Sequence, residues 1–173
     1  MKTRIIAGAA LALGLCMAGT AFAADAPAAA AGPGDKAQIA ALEKRFAAAF
    51  NAKDVGKVMN VYARSGLFVF DATPPRQYVG WEAYRKDFEG LFKEAFPGAL
   101  KFSIADLAIT VSGDMAYSHS IQTIESPGAA IPKLVVRVTD VYRKAGGRWL
   151  VVHEHVSVPV DMATDKGDLL SKP

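Results

Sequence analysis

The sequence predicts one α+β domain, with helices packed on one face of a curved antiparallel sheet. Two observations carry this. Helical periodicity is confined to residues 35–96, and long runs rich in β-branched residues fill 100–160. Helices first and a strand meander afterwards is the order of an α+β layer rather than of alternating βαβ units.

The first helix is expected from Asp35 to Ala52. Ile39, Leu42, Phe46 and Phe50 fall on one face, and Asp35 can serve as N-cap. Asp54 can cap a second short helix with Val55, Val58, Met59 and Tyr62 on its buried face. A third follows Gly80 and ends at Phe96-Pro97-Gly98. Glu43 to Arg45 and Arg85 to Asp87 read as solvated helix charges. Leu67 to Asp71 is a short strand ending in the turn Asp71-Ala72-Thr73-Pro74-Pro75, and Gln77 to Val79 a small return strand.

Four long strands follow: 100–111, 115–125, 133–144 and 148–160. Ser112-Gly113-Asp114 and Ala145-Gly146-Gly147 are the hairpin turns. With Ala145 to Gly147 as a three-residue loop, Thr139 faces His153 and Arg137 faces His155. Alternation then places Arg137, Thr139, His153, His155 and Ser157 on one face with Trp149 and Val151. That mixed polar and basic face is expected to be a pocket wall. The other face, with Val136, Val138, Val152, Val156, Asp140 and Glu154, is expected to be a core or dimer surface.

The N-terminus predicts export. Lys2 and Arg4 precede an uncharged apolar run from Ile5 to Ala18, and Ala21-Phe22-Ala23 is a small-x-small cleavage site. The run is short for a membrane span. Cys16 follows Leu15, where lipid attachment wants a small residue. A periplasmic or secreted chain beginning at Ala24 is the expectation, with no membrane contact after cleavage. Residues 24–34 form an Ala/Pro/Gly lead-in, 35–161 the domain and 162–173 a C-terminal tail. The signal removes the single cysteine, which excludes thiol catalysis and thiolate metal sites. It also removes two positive charges and no acid, leaving the mature chain close to neutral. The remaining Lys and Arg are scattered, which excludes a nucleic-acid stripe.

Four stretches carry a family resemblance. They are 46–54 (FAAAFNAKD), 67–71 (LFVFD) leading through Pro74-Pro75 to Tyr78-Val79-Gly80, 113–117 (GDMAY) and 148–157 (RWLVVHEHVS). Through them the chain resembles the SnoaL-like group of the nuclear transport factor 2 superfamily, including its ketosteroid isomerases. The resemblance implies a cone: three N-terminal helices closing over a strongly bent sheet. It also implies Asp71 at the position of the isomerases' general base. Phe46 stands where their oxyanion-donating tyrosine lies, and Thr139, with Asp140 adjacent, where their second donor lies. Steroid isomerisation is therefore expected to be poor, since a phenyl ring cannot donate a hydrogen bond.

The candidate site is Asp71 as base and His155 as proton relay, with Tyr78, Arg137, Thr139 and His153 as ligand contacts. For Asp71 the alternative is an Asx-turn residue closing a strand; for His153 it is a structural histidine. His153 and His155 alone lack the third ligand of a catalytic zinc, so no metal is assigned, and the sequence requires no cofactor. Three function classes remain: an acid/base enzyme of isomerase, cyclase or dehydratase type acting on a small apolar carbonyl compound, a small-molecule binding module, and a homo-oligomeric structural domain. The expected partners are a small apolar molecule and a second copy of the chain, as a homodimer.

Overall fold

The computed structural model describes residues 34–170. The expected signal, its Cys16 and all of the lead-in but Gly34 lie outside these residues.

Helix α1 (Asp35–Asn51) buries Ile39, Leu42, Phe46 and Phe50 as its periodicity demands. Its N-cap is Gly34, not Asp35. Asp35 instead turns inward and accepts hydrogen bonds from Lys144 Nζ at 2.6 Å and Trp149 Nε1 at 3.1 Å. At the other end, the Asn51 side chain bonds both the N–H and the C=O of Phe102, at 2.8 and 2.9 Å, pinning the helix to the far edge of the sheet. Asp54 caps α2 (Val55–Met59) by accepting from Lys57 N at 3.0 Å. Helix α3 (Trp81–Gly90) runs on into a π-turn over Leu91–Ala95.

The strands are β1 (Phe68–Phe70), β2 (Tyr78–Val79), β3 (Lys101–Ser112), β4 (Met115–Glu125), β5 (Lys133–Ala145) and β6 (Arg148–Ser157). They form one six-stranded sheet in the order β2-β1-β6-β5-β4-β3, antiparallel except where β1 runs parallel to β6. Residues 61–63 continue that parallel pairing: Val151 N donates to Val61 O at 2.9 Å, and Ala63 N donates to Val151 O at 2.8 Å. The expected tail is not featureless. Val160–Asp161 (β7) and Lys166–Gly167 (β8) form a small hairpin, and Leu169 O accepts from Val135 N at 2.8 Å.

Two bulges bend the sheet over the helices. One lies in β3 between Ala105 and Ala108, where Asp106 takes φ 52°; the other lies in β6 at Val152. The second overturns the expected register. Gly146 and Gly147, at φ 55° and 76°, form a two-residue turn with both central residues left-handed, so Ala145 pairs with Arg148 and Tyr142 with Val151. Val152 is then extra, and the pairing resumes as Val141 with His153, Asp140 with Glu154, and Thr139 with His155. Arg137, Thr139, His153, His155 and Ser157 do share a face. That face is the outer one, away from the helices, and Trp149 and Val151 are on the other side. The expectation of a pocket wall there is corrected. The inner face carries Val136, Val138, Asp140, Tyr142, Glu154 and Val156.

Candidate functional site

Between the helices and the inner face lies a cavity of about 280 Å³. Its apolar wall comes from α1, α3 and β3. Phe50 and Phe102 stack at 4.3 Å between centroids, and Phe46 meets Phe102 edge-on at 5.6 Å. Phe46 is therefore wall, which is the role its residue type allows.

The polar end is built where α3 and the β1 terminus meet β6. Asp71 lines the cavity, as the resemblance implies. Its Oδ1 accepts from Thr73 N at 3.3 Å, so the Asx-turn and the pocket position coexist. Burial raises its pKa against the lowering effect of its hydrogen bonds. Tyr84 on α3 donates to Glu154 Oε1 and lies 3.4 Å from Asp71 Oδ2. Tyr62 donates to Glu154 Oε2 at 2.8 Å, its place fixed by the pairing of residues 61–63 with β6. Glu154 lines the cavity, and only 6% of it is exposed. Burial raises its pKa, the Tyr84 and Tyr62 hydroxyls lower it, and Asp71 raises it.

Behind Glu154 the acid chain continues into the core. Asp140, its cross-strand partner, is pushed well above the carboxylate range by burial, then by the charges of Glu154 and Glu43. When Asp140 holds a proton it bonds Glu154; with both groups ionised its Oδ1 has no partner. Tyr142 donates to Glu43 Oε1 at 2.7 Å, shares a hydrogen bond with Ser118 Oγ at 2.7 Å, and lies 3.5 Å from Asp140 Oδ2. Burial pushes Glu43 up to about 7, with Tyr142 lowering and Glu154 raising it. Three carboxyls so close, hydrogen-bonded by tyrosines and with no Lys, Arg or His in hydrogen-bond contact among the described residues, cannot all be ionised at neutral pH.

The remaining expected residues are placed elsewhere. Tyr78 is buried, and its hydroxyl donates to Asp87, which lines the cavity; Tyr78 itself does not. Arg137, Thr139 and His155 are exposed on the outer face. His153 is half-buried there, its Nδ1 2.9 Å from Phe68 O and its ring stacked on Phe68. None of the four lines the cavity. His119 shares the outer face, paired with Thr139, yet among the described residues no three His, Cys, Asp or Glu side chains gather to hold a metal.

Glu43, Tyr62, Tyr84, Asp140 and Glu154 were missed as site residues. Glu43 and Asp87 are not the solvated charges the helix pattern suggested. The signal for Glu43 was present: it stands four residues after Ile39 and three before Phe46, on the apolar face. Asp140 and Glu154 were visible on the face opposite the histidines; the bulge puts Trp149 and Val151 on that inner face with them.

Residues 39–161 match the SnoaL-like domain family. A solved NTF2-like protein of unknown function from Pseudomonas putida KT2440 is 31% identical, with a TM-score of 0.73, covering 79% of this chain and 95% of that one. A Nostoc punctiforme protein with a cystatin-like fold is 20% identical, with a TM-score of 0.63 over 74% of this chain and 93% of its own. A Streptomyces avermitilis protein, a candidate dehydratase of the NTF2-like family, is 16% identical, with a TM-score of 0.63 over 72% and 96%. No curated protein matches the chain. With its helix-covered bent sheet and this match over most of its length, the chain belongs to the SnoaL-like family of the NTF2-like fold.

Proposed function

We propose that this chain is an acid/base enzyme that removes a proton next to the carbonyl of a small apolar compound. The observation that carries this is the pair of cavity-lining carboxyls, Asp71 and Glu154, bridged by the Tyr84 hydroxyl at the polar end of an aromatic cavity. Asp71 is the half-exposed member, and burial brings its pKa toward neutrality, as a general base requires. Its carboxylate takes the α-proton, and the electron pair passes to the carbonyl oxygen. The Tyr84 hydroxyl turns its one proton from Glu154 to that oxygen, and Glu154, kept protonated by burial, donates to the tyrosine oxygen in exchange, with Tyr62 and Asp140 behind it. Returning the proton to another carbon isomerises; expelling a β-leaving group dehydrates. The fold does not decide between these, since NTF2-like proteins of similar structure include a candidate dehydratase and a candidate aromatic ring hydroxylase.

The test is solvent-deuterium exchange at the α-carbons of phenylcyclohexanone, followed by NMR with the purified domain. Exchange above the buffer rate, lost in Asp71→Asn while the ketone still binds, supports the enzyme. Tight binding with no exchange in the wild-type chain leaves a binding module instead. The proposal includes work in the periplasm, after cleavage behind Ala23. Intact-mass analysis of periplasmic material should show a chain starting at Ala24, and a lipid-bearing Cys16 would overturn that.

A further inference from the structure

The cavity wall contains an amide side chain that the chemistry above does not use. Gln122, on β4, is 7% exposed and lines the cavity. Among the described residues its carboxamide has no hydrogen-bond partner. On the same face Ile124 follows it and Ser120, with a buried hydroxyl that has no partner among the described residues, precedes it; Val136 pairs with it on β5, and Phe102 stands on β3. Its amide atoms are open to the cavity, where a ligand group can pair with them.

The position of Gln122 relative to the acid end sets the shape of the missing partner. Glu154 pairs with Asp140, and Gln122 pairs with Val136, four residues along β5. Gln122 therefore lies two strands over and four residues along from Glu154, about 10 Å across and about 13 Å along the sheet. Both side chains reach into one cavity, across the floor of phenylalanine rings. Charge sets a second limit. Asp71, Asp87, Glu94 and Glu154 line the cavity, and no Lys, Arg or His among the described residues does. An anionic group entering it would meet like charge and no counter-ion.

We propose that Gln122 is a specificity residue, and that the ligand is an elongated aromatic or alicyclic carbonyl compound with an uncharged hydrogen-bonding group, such as a hydroxyl or amide, at its far end. The inference rests on the carbonyl being held at Asp71 and Tyr84, as proposed above. The carboxamide offers both a donor pair and an acceptor, so it recognises a distal hydroxyl in either role. The carboxyl-lined cavity excludes carboxylates and phosphates.

Three probes of matched shape test this on the full mature chain by calorimetry: phenylcyclohexanone, its para-hydroxy derivative and its para-carboxy derivative. The para-hydroxy compound should bind about 10-fold tighter than the parent, since a site built to hydrogen-bond a substrate group rejects the analogue lacking it. The para-carboxy compound should bind at least about 10-fold more weakly. Gln122→Leu, of similar volume, should erase the hydroxyl preference, read as the ratio of the para-hydroxy and parent affinities. In the wild-type chain, the side-chain amide signals of Gln122 should shift on adding the para-hydroxy compound and stay in place with the parent. That reading needs no variant to fold. A para-carboxy compound that binds as well as the parent overturns the proposal. So does a hydroxyl preference that survives Gln122→Leu, or no binding of any probe. Absent deuterium exchange with the discrimination intact would remove only the catalytic reading; exchange without discrimination would remove only this one.

Discussion

The two faces of strands β5 and β6 are built from alternating residues of the same short sequence, yet they hold opposite chemistries. Inward face Asp140, Tyr142, Val151 and Glu154, buried and joined to Tyr62, Tyr84 and Glu43. Outward face Arg137, Thr139, His153 and His155, with Phe68, Phe70 and Tyr117 beside them. The outer groups are the ones whose residue types suggest catalysis, and they have solvent to neutralise any strain. The inner groups are ordinary carboxyls and phenols whose properties come from being dry. Environment, rather than residue type, separates the chemistry of the two faces.

The sharpest break in this comparison comes from neighbouring residues. Glu154→Gln should lower deuterium exchange by on the order of 10²–10³, because it unseats the Tyr84 donor. His155→Gln, one residue away on the other face, should leave the rate unchanged within about twofold. Equal losses would show that both faces serve the site.

Next in size is the pH dependence of stability. Glu43 has an ordinary value of 4.5 and about 7 in the fold, so the folded state binds the extra proton between these limits. Stability is therefore highest below the lower value and falls as pH rises through that window, by about 3 kcal/mol for Glu43 alone. Asp71, Asp87, Asp140 and Glu154 are shifted in the same direction by burial and add to the fall. Urea melts across pH 4–8 should show it, and Glu43→Gln should flatten its share. A stability that rises over this range would mean the inner carboxyls are not held protonated.

Tyr142→Phe should cost about 1–3 kcal/mol in the same melts, since Glu43 and Ser118 lose their shared hydroxyl. Tyr117→Phe on the outer face should change little. The smallest effect on the cavity is expected where assembly is at stake. Phe70 and Tyr117 are 37% and 49% exposed on the outer face, and covering them is the expected role of a second copy. Tyr117→Glu should convert a dimer to a monomer by light scattering and leave deuterium exchange within about twofold. A wild-type monomer at tens of micromolar would remove the dimer. Of the valines first suggested for that interface, Val136 and Val138 are core, Val156 lines the cavity, and Val152 is half-buried at the bulge.

Much of the fold was legible in the sequence. Periodicity placed the helices and long strands to within a few residues, because burying Ile39, Leu42, Phe46 and Phe50 leaves α1 no alternative face. Asp71 was legible through the family resemblance. The inner site was not, for a geometric reason. A side-chain period of two makes every assignment beyond a bulge depend on that bulge, and Val152 is one apolar residue in a run of apolar residues. Nothing in its type distinguishes it from Val151. The consecutive glycines at 146 and 147 were the available clue, since they favour the two-residue turn. Tyr62 was read as a buried helix residue, and it is, as is Tyr84; a buried phenol needs a partner, and for both that partner is Glu154.

The parallel seating of β1 on β6 bears on the order in which the chain can fold. The helical half makes its defining contacts with residues that leave the ribosome last: Asp35 with Lys144 across 109 positions, and Tyr62 with Glu154 across 92. Contacts so distant along the chain carry a loop-closure cost before they return anything, and they slow folding. Until β6 is made, the three helices have no sheet to cover and no nucleus to complete. A nascent chain of this topology cannot close its fold until most of the sheet has been made.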